Sequence, residues 1–217
     1  MTNITNFWNQ KIIHWENSRY FNKNISFYEK IVSKFSNSLF TRREILLKLL
    51  KNKIKNKNII EIGCGSGFLC DKIISYGAKS YFGVDFSFKA IERARKINLK
   101  YIKNNQASFS TIEVGKIKSI KQDVIFSLGL IDWLKDDDLS HLSKISKNKL
   151  FIHSFSRKKI SLSQYIHKIY VFFSYKKKTS FYPKYLTREK IKNIFNNVNF
   201  YQNKKLKFGE FFFNFNL

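Results

Sequence analysis

The residues best arranged to do chemistry are Glu61-Ile62-Gly63-Cys64-Gly65-Ser66-Gly67. Three alternating glycines let a backbone turn tightly and press its N–H groups against a ligand. The run follows an apolar segment and precedes a helical pattern, so the unpaired N–H groups of a helix start face the same point. Asp85 lies 20 residues beyond Gly65, at the end of the next apolar run, where a carboxylate can accept both hydroxyls of a ribose. A dinucleotide cradle uses the same devices but spaces its glycines G-x-G-x-x-G, and here the third comes one residue early. Proton-moving groups are sparse. His153, in Phe151-Ile152-His153-Ser154-Phe155-Ser156, is placed at a strand end, and an imidazole titrates near neutrality. Asp132 can orient an acceptor or begin a helix, and Trp133 beside it can wall a substrate or join the core. Tyr182 and Tyr185 flank Pro183, the single proline, while His14, His141 and His167 fall on helical patterns as surface residues.

The elements that must hold these groups follow from periodicity. Residues 6–51 read as helices, with Ile45, Leu46, Leu49 and Leu50 on one apolar face and Thr41 as an N-cap. From Asn58 the period changes. Strands are expected over 58–62, 81–85, more weakly 101–106, 123–128 and 149–153, with helices over 68–76 and 88–97 and another opened by Asp136-Asp137-Asp138, whose carboxylates suit a helix N-terminus. Such alternation specifies a parallel sheet covered on both faces. A helical, aromatic stretch over 161–175 and a helix capped by Thr187 follow, then strands over 200–206 and 210–216 turning at Gly209. The expected fold is therefore α/β: a Rossmann-like, doubly wound, mostly parallel seven-stranded sheet with an antiparallel C-terminal hairpin. One domain divides into a helical N-terminal cap (1–57), a cofactor-binding core (58–156), a lid insertion after strand five (157–186), and a last helix with the edge hairpin (187–217).

Composition narrows the class. At 217 residues, with 43% apolar and 17% aromatic residues, the chain can bury a full core. No apolar run approaches the roughly 20 residues that cross a bilayer, and the Asn-rich first ten residues hold no apolar signal-peptide core. Two cysteines are too few for a disulfide framework, which fits a reducing cytoplasm. No metal-ligand constellation is read. The net charge of +26 accommodates nucleic acid, an anionic membrane or a phosphorylated substrate, yet the lysines are spread along a chain also rich in Asn, Ile and Phe, which is the mark of compositional bias.

The glycine run, Gly83-Val84-Asp85-Phe86-Ser87 and Asp123-Val124-Ile125-Phe126-Ser127-Leu128-Gly129-Leu130-Ile131-Asp132-Trp133-Leu134 together resemble the class I S-adenosylmethionine-dependent methyltransferases, in order and spacing from about Thr41 onward. The resemblance implies S-adenosyl-L-methionine as cofactor. Gly63, Gly65 and Gly67, with Cys64 between them, would line its methionine and ribose parts, and Glu61 would tie the loop or the amino group. Asp85 would hold the ribose diol and Phe86 would pack on adenine, with Leu128 and Gly129 beside the sulfonium. Arg42 and Arg43 stand where some relatives place an arginine near the cofactor carboxylate. One departure is visible: the family often has an acid after strand three for the adenine amine, and Ala107-Ser108-Phe109 puts Ser108 there.

The acceptor is less defined. The N/D-P-P-Y type segment of amino-methylating nucleic-acid enzymes is missing after strand four, and neither cysteine stands in the Pro-Cys pair of cytosine-C5 enzymes. The pattern is similar to that of the small-molecule branch, acting on a hydroxyl or amine of a sugar, lipid-linked or other metabolite, with an anionic or membrane-associated acceptor agreeing with the charge. His153 and Asp132 are the candidate catalytic residues, and Trp133, Tyr182 and Tyr185 the candidate substrate contacts. An RNA methyltransferase and a non-catalytic cofactor-binding protein are the alternatives.

Overall fold

The computed structural model describes residues 6–10, 12, 16, 39–173, 183–206 and 209–216. Residues 6–10, 12 and 16 are helical. They are followed by α1 (Leu39–Leu50), β1 (Asn58–Ile62), α2 (Cys70–Ser75), β2 (Ser80–Asp85), α3 (Phe88–Ile97), α4 (Leu99–Lys103), β3 (Ala107–Thr111), β4 (Val124–Ser127), α5 (Asp136–Ser146), β5 (Leu150–Ser156), α6 (Leu162–Val171), α7 (Arg188–Ile194), β6 (Asn199–Tyr201) and β7 (Gly209–Phe213). The strands form one sheet in the order β3-β2-β1-β4-β5-β7-β6. Strands β1 to β5 pair in parallel, and β7 runs antiparallel between β5 and β6. This is the doubly wound seven-stranded architecture with a C-terminal hairpin that the alternation of patterns implies.

The sheet is buried on both faces because its strands are apolar at consecutive positions, as a central parallel sheet requires. One face sets Ile59, Tyr81, Phe109, Val124, Phe126, Ile152 and Phe211 against α1, α2 and α3. The other sets Ile60, Ile62, Val84, Ile125, Phe151, Phe155 and Phe212 against Leu139 and Leu142 of α5 and Ile191 of α7. Asp123 locks the entry to β1, its Oδ2 accepting from Asn58 N at 2.8 Å. Thr187 caps α7 through Lys190 N at 3.1 Å. Thr41, expected as a cap, lies inside α1 instead.

Three expectations are corrected, the first being the hairpin: β6 ends at Tyr201, and Gly209 does not turn the chain but pairs with Ser156 inside β7. The third strand is not at 101–106: Leu99–Lys103 is helical, Asn105 turns the chain at φ 56°, and the strand begins at Ala107. In β3 the alternation Ala107 and Phe109 inward, Ser108 outward, is the period of a half-covered edge strand. Strand five runs to Ser156 rather than stopping at His153, because β7 continues to pair with it from Ile152 through Ser156.

The second face holds an aromatic slab. The Phe212 ring lies 4.8 Å from Phe195, 5.3 Å from His153, 5.8 Å from Phe155 and 6.2 Å from Phe151, centroid to centroid. Phe212→Ala empties the centre of that slab and should cost about 3–5 kcal/mol. Urea unfolding of the two chains measures it, and a loss below about 1 kcal/mol would show that the slab does not carry the hairpin.

Candidate active site

The glycine loop leaves β1 at the C-terminal edge of the sheet, where open α/β sheets form their binding crevice. Gly63, Gly65 and Gly67 have φ of 75°, 52° and 66°, a region that side-chain-bearing residues rarely adopt. At Gly67 space imposes the same choice, since an added Cβ would meet Phe109 Cε1 at 2.6 Å. Gly63 N and Cys64 N both donate to Val84 O, at 2.8 and 3.0 Å, folding the loop over the end of β2. Asp85 then joins the pieces. Its Oδ2 accepts from Gly65 N at 2.9 Å and its Oδ1 from Ser87 N at 2.9 Å, while Ser87 Oγ caps α3 through Ala90 N. Loop, strand end and helix start are thus referenced to one carboxylate.

Two further acids are buried at this loop. Glu61 accepts a short hydrogen bond from the Tyr81 hydroxyl. Glu16, a helical residue of the N-terminal segment, accepts from Ser66 N at 2.7 Å and from Ser66 Oγ, and sits 3.5 Å from Arg93 Nη1. Burial pushes Glu61 up to about 8 and Glu16 up to about 7, and the neighbouring carboxylates add to both shifts. Asp85 is raised as well, again chiefly by burial, with the N–H donors of Ser87 and Gly65 opposing. Arg93 opposes the rise at Glu16 and Arg43 the rise at Glu61, yet three carboxyls crowded at one loop resist ionising together.

The described N-terminal residues pack against this edge. Trp8 and Ile12 pack on Ala90 of α3 with Phe7, Phe86 and Trp133 around them, and the Trp8 and Trp133 rings meet edge to face at 5.0 Å. Asn9 is buried, its Oδ1 accepting from Ser87 Oγ at 2.7 Å, and its Nδ2 donor is without a hydrogen-bond partner. Sequence reasoning missed Glu16 and Asn9. Neither belongs to a motif, and an acid or amide on an Asn- and Lys-rich helix reads as a solvent-facing residue.

Beyond β4, Leu128 is buried and Gly129, at φ 73°, donates its N–H to Ser154 Oγ at 2.8 Å. The chain then turns through Ile131–Trp133, burying Asp132. Its carboxylate accepts from Ser156 N at 2.6 Å and Ser156 Oγ at 2.7 Å, and stands 3.6 Å from Arg42 Nη1. Arg42 also donates to Ser156 Oγ at 2.9 Å. Arg42 is therefore engaged with Asp132 and β5, while Arg43 is felt electrostatically by Glu61. Burial raises the Asp132 carboxyl, and Arg42 opposes the rise. Lys184 N donates to Asp132 O at 2.7 Å, bringing half-buried Tyr185 to this side, and the Tyr185 hydroxyl bonds His167 Nδ1. Trp133 is half-buried under Trp8. Tyr182 lies outside the described residues.

Two candidates are displaced. His153 is fully buried in mid-strand, its ring 5.5 Å from Phe151 and 5.8 Å from Phe195, with Ser127 Oγ 2.8 Å from Nδ1. Burial pushes it down to about 3, so it stays neutral, and its packing seals it from any acceptor. Ser108 is exposed in the middle of β3, opposite Phe82. The residue level with Asp85 is Thr111, and Ile112 N donates to Asp85 O at 2.9 Å, so the cleft end of this strand is reached three residues later. Among the described residues no group of His, Cys, Asp and Glu could hold a metal ion, both cysteines are buried and free, and no helix is long and apolar enough to cross a membrane.

Comparison with known proteins follows this geometry. Residues 38–203 match the family model of a methyltransferase domain. The structure superposes on magnesium protoporphyrin IX methyltransferase from Synechocystis PCC 6803 with bound SAH at TM-score 0.72, 18% identity and 96% coverage of both chains. The same protein with bound SAM gives TM-score 0.68, 16% identity, and coverage of 96% of this chain and 93% of that one. Ribosomal protein L11 methyltransferase from Legionella pneumophila (strain Paris) is 39% identical over 61 residues, 28% of this chain and 21% of that protein. The chain thus spans about a fifth of the length of that curated relative. With the left-handed glycine loop, the strand-end Asp85 and the 3-2-1-4-5-7-6 sheet in place, the match over 38–203 establishes that the chain belongs to the class I S-adenosylmethionine-dependent methyltransferases.

Proposed function

We propose that this methyltransferase moves the methyl group of S-adenosylmethionine to a hydroxyl or amine of a small-molecule acceptor. The observation that carries the cofactor assignment is the convergence of Asp85, Glu61 and Glu16 on a left-handed glycine loop. These carboxyls suit a ligand that brings positive charge, and the unspent Asn9 amide offers a donor beside Ser87. When bound, S-adenosylmethionine supplies an electrophilic methyl on a sulfonium. In this reading Gly63, Cys64, Gly65 and Gly67 line the cofactor and Asp85 takes the ribose diol. Phe86 flanks adenine, and Leu128 and Gly129 form the opposite wall. Ile112 and Glu113, following β3, take the adenine-side place first given to Ser108.

Methyl transfer asks the protein chiefly for alignment, with a base where the acceptor is a hydroxyl. Asp132 serves as a positioning residue: it holds Ser156, Arg42 and the backbone of Lys184 together, and so sets Tyr185 and Trp133 beside the crevice. The Tyr185–His167 pair is half-buried rather than sealed, and it replaces His153 as the route for an acceptor proton. Support for a small-molecule acceptor is the 96% mutual coverage with a methyltransferase whose name specifies a tetrapyrrole. RNA stays the alternative on the strength of the +26 charge. Methyl incorporation from labelled cofactor into an extracted metabolite pool, and its failure with total RNA, is the expected result; the reverse would overturn the small-molecule reading.

Asp85→Ala removes the acceptor of the Gly65 and Ser87 N–H groups together with the proposed ribose partner. Calorimetry should show at least about 100-fold weaker S-adenosylmethionine binding, from lost charge-assisted hydrogen bonds. Unchanged affinity in a folded variant would dismantle the site. The pH dependence has a definite sign. Raised carboxyls are protonated at low pH, and a cationic ligand favours their ionised form, so affinity should climb as pH rises from 6 to 7.5. The increase should be about tenfold or more, before the ligand's own α-amino group begins to lose its proton near 8. Binding at pH 7 should release protons, seen as enthalpies that vary with the buffer's ionisation heat, and Glu61→Gln should diminish that release.

A further inference from the structure

Helix α6 is built inside out. Leu162, Tyr165, Ile169 and Phe172 are 75%, 64%, 41% and 47% exposed, and the adjoining Ile160 and Phe173 are exposed as well. At about 100° per residue, positions 162, 165, 169 and 172 fall on one side of the helix. The side turned inward carries the polar Gln164 and His167. Gln164 is buried, its Oε1 accepting from Lys159 N at 2.8 Å and its Nε2 donating to Arg157 O at 2.8 Å, while His167 bonds Tyr185. A helix of a water-surrounded protein turns its apolar stripe to the core, and this one fastens its polar groups there and presents aromatics outward.

The charge around the stripe says what it fits. From Arg157 through Arg188 the sequence carries nine lysines and arginines and no Asp or Glu, of which Arg157 and Arg188 pair with Glu210 and Lys184 with Asp136. Within the described part, Lys158 and Lys168 are exposed beside the stripe. An apolar stripe edged by lysines is the pattern of a helix that lies in the plane of a bilayer surface, its side chains among the acyl chains and its cations among anionic headgroups. The helix spans ten residues, too short to cross.

We propose that α6 docks this protein on anionic lipid bilayers, with Leu162, Tyr165, Ile169, Phe172 and Phe173 entering the interface. Its inward face is tied to Tyr185, so docking sets the acceptor side of the crevice next to the lipid surface. The inference goes beyond the proposed reaction and stands whichever group is methylated.

The test is sedimentation of the full chain with vesicles of phosphatidylcholine alone and of phosphatidylcholine with 30% phosphatidylglycerol. Compared with it is a Leu162→Ser, Tyr165→Ser, Phe173→Ser variant, all three positions exposed. The native chain should pellet with the anionic vesicles and stay in solution with the neutral ones. The variant should partition at least tenfold less while keeping its melting temperature and S-adenosylmethionine affinity. Equal partitioning of variant and native chain would overturn the proposal, because whole-surface charge would then suffice. A native dimer in light scattering that the variant abolishes, or retention on immobilised RNA that the variant loses, would overturn it in favour of those partners. Cofactor affinity, measured on the same samples, reports separately on the donor site.

Discussion

The hydrogen bonds from the Gly65 and Ser87 N–H groups to the two oxygens of Asp85 are the constraint on which the donor site depends. A backbone in three successive left-handed turns has no ladder to hold it, and its N–H groups must be satisfied individually. Val84 O takes two of them and Asp85 takes a third. One carboxylate therefore fixes the loop relative to β2 and, through Ser87, relative to α3. Because Asp85 is buried, the arrangement is stiff before any ligand arrives, which is what a preorganised site requires.

The glycine spacing, the strand-end acid and the alternation of strand and helix were legible in the sequence because each rests on local physics: backbone freedom, period and helix starts. The misreadings share a different cause. Ser108 was displaced because Tyr101 and Ile102 mimic a strand, while the true β3 is diluted by serines and threonine. His153 was misplaced because its strand length is set by β7, a partner some sixty residues distant. Glu16 and Asn9 were invisible because what marks them is tertiary: each is a polar side chain buried against Ser66 or Ser87, fifty or more residues away.

The two sides of the crevice are governed differently. At the glycine loop, carboxyls crowd around backbone N–H groups, with Arg93 beside Glu16 alone in salt-bridge reach. On the acceptor side Asp132 already has its cation in Arg42 and its donors in Ser156, so its charge is spent on architecture. Trp8 packs on Trp133 while Asn9 and Glu16 bond Ser87 and Ser66, so N-terminal residues touch both halves.

The position of β7 also bears on how the chain assembles. β6 precedes β7 in sequence but lies outside it, and β7 alone connects β6 to the rest of the sheet. Emerging from a ribosome, the chain would present β5 as an open edge, with Phe151, His153 and Phe155 lacking Phe212, until β7 had been synthesised. Only then can that edge close and β6 find a partner. Two of the seven strands thus wait on a single antiparallel pairing of long sequence separation, the kind of contact that forms late and slowly.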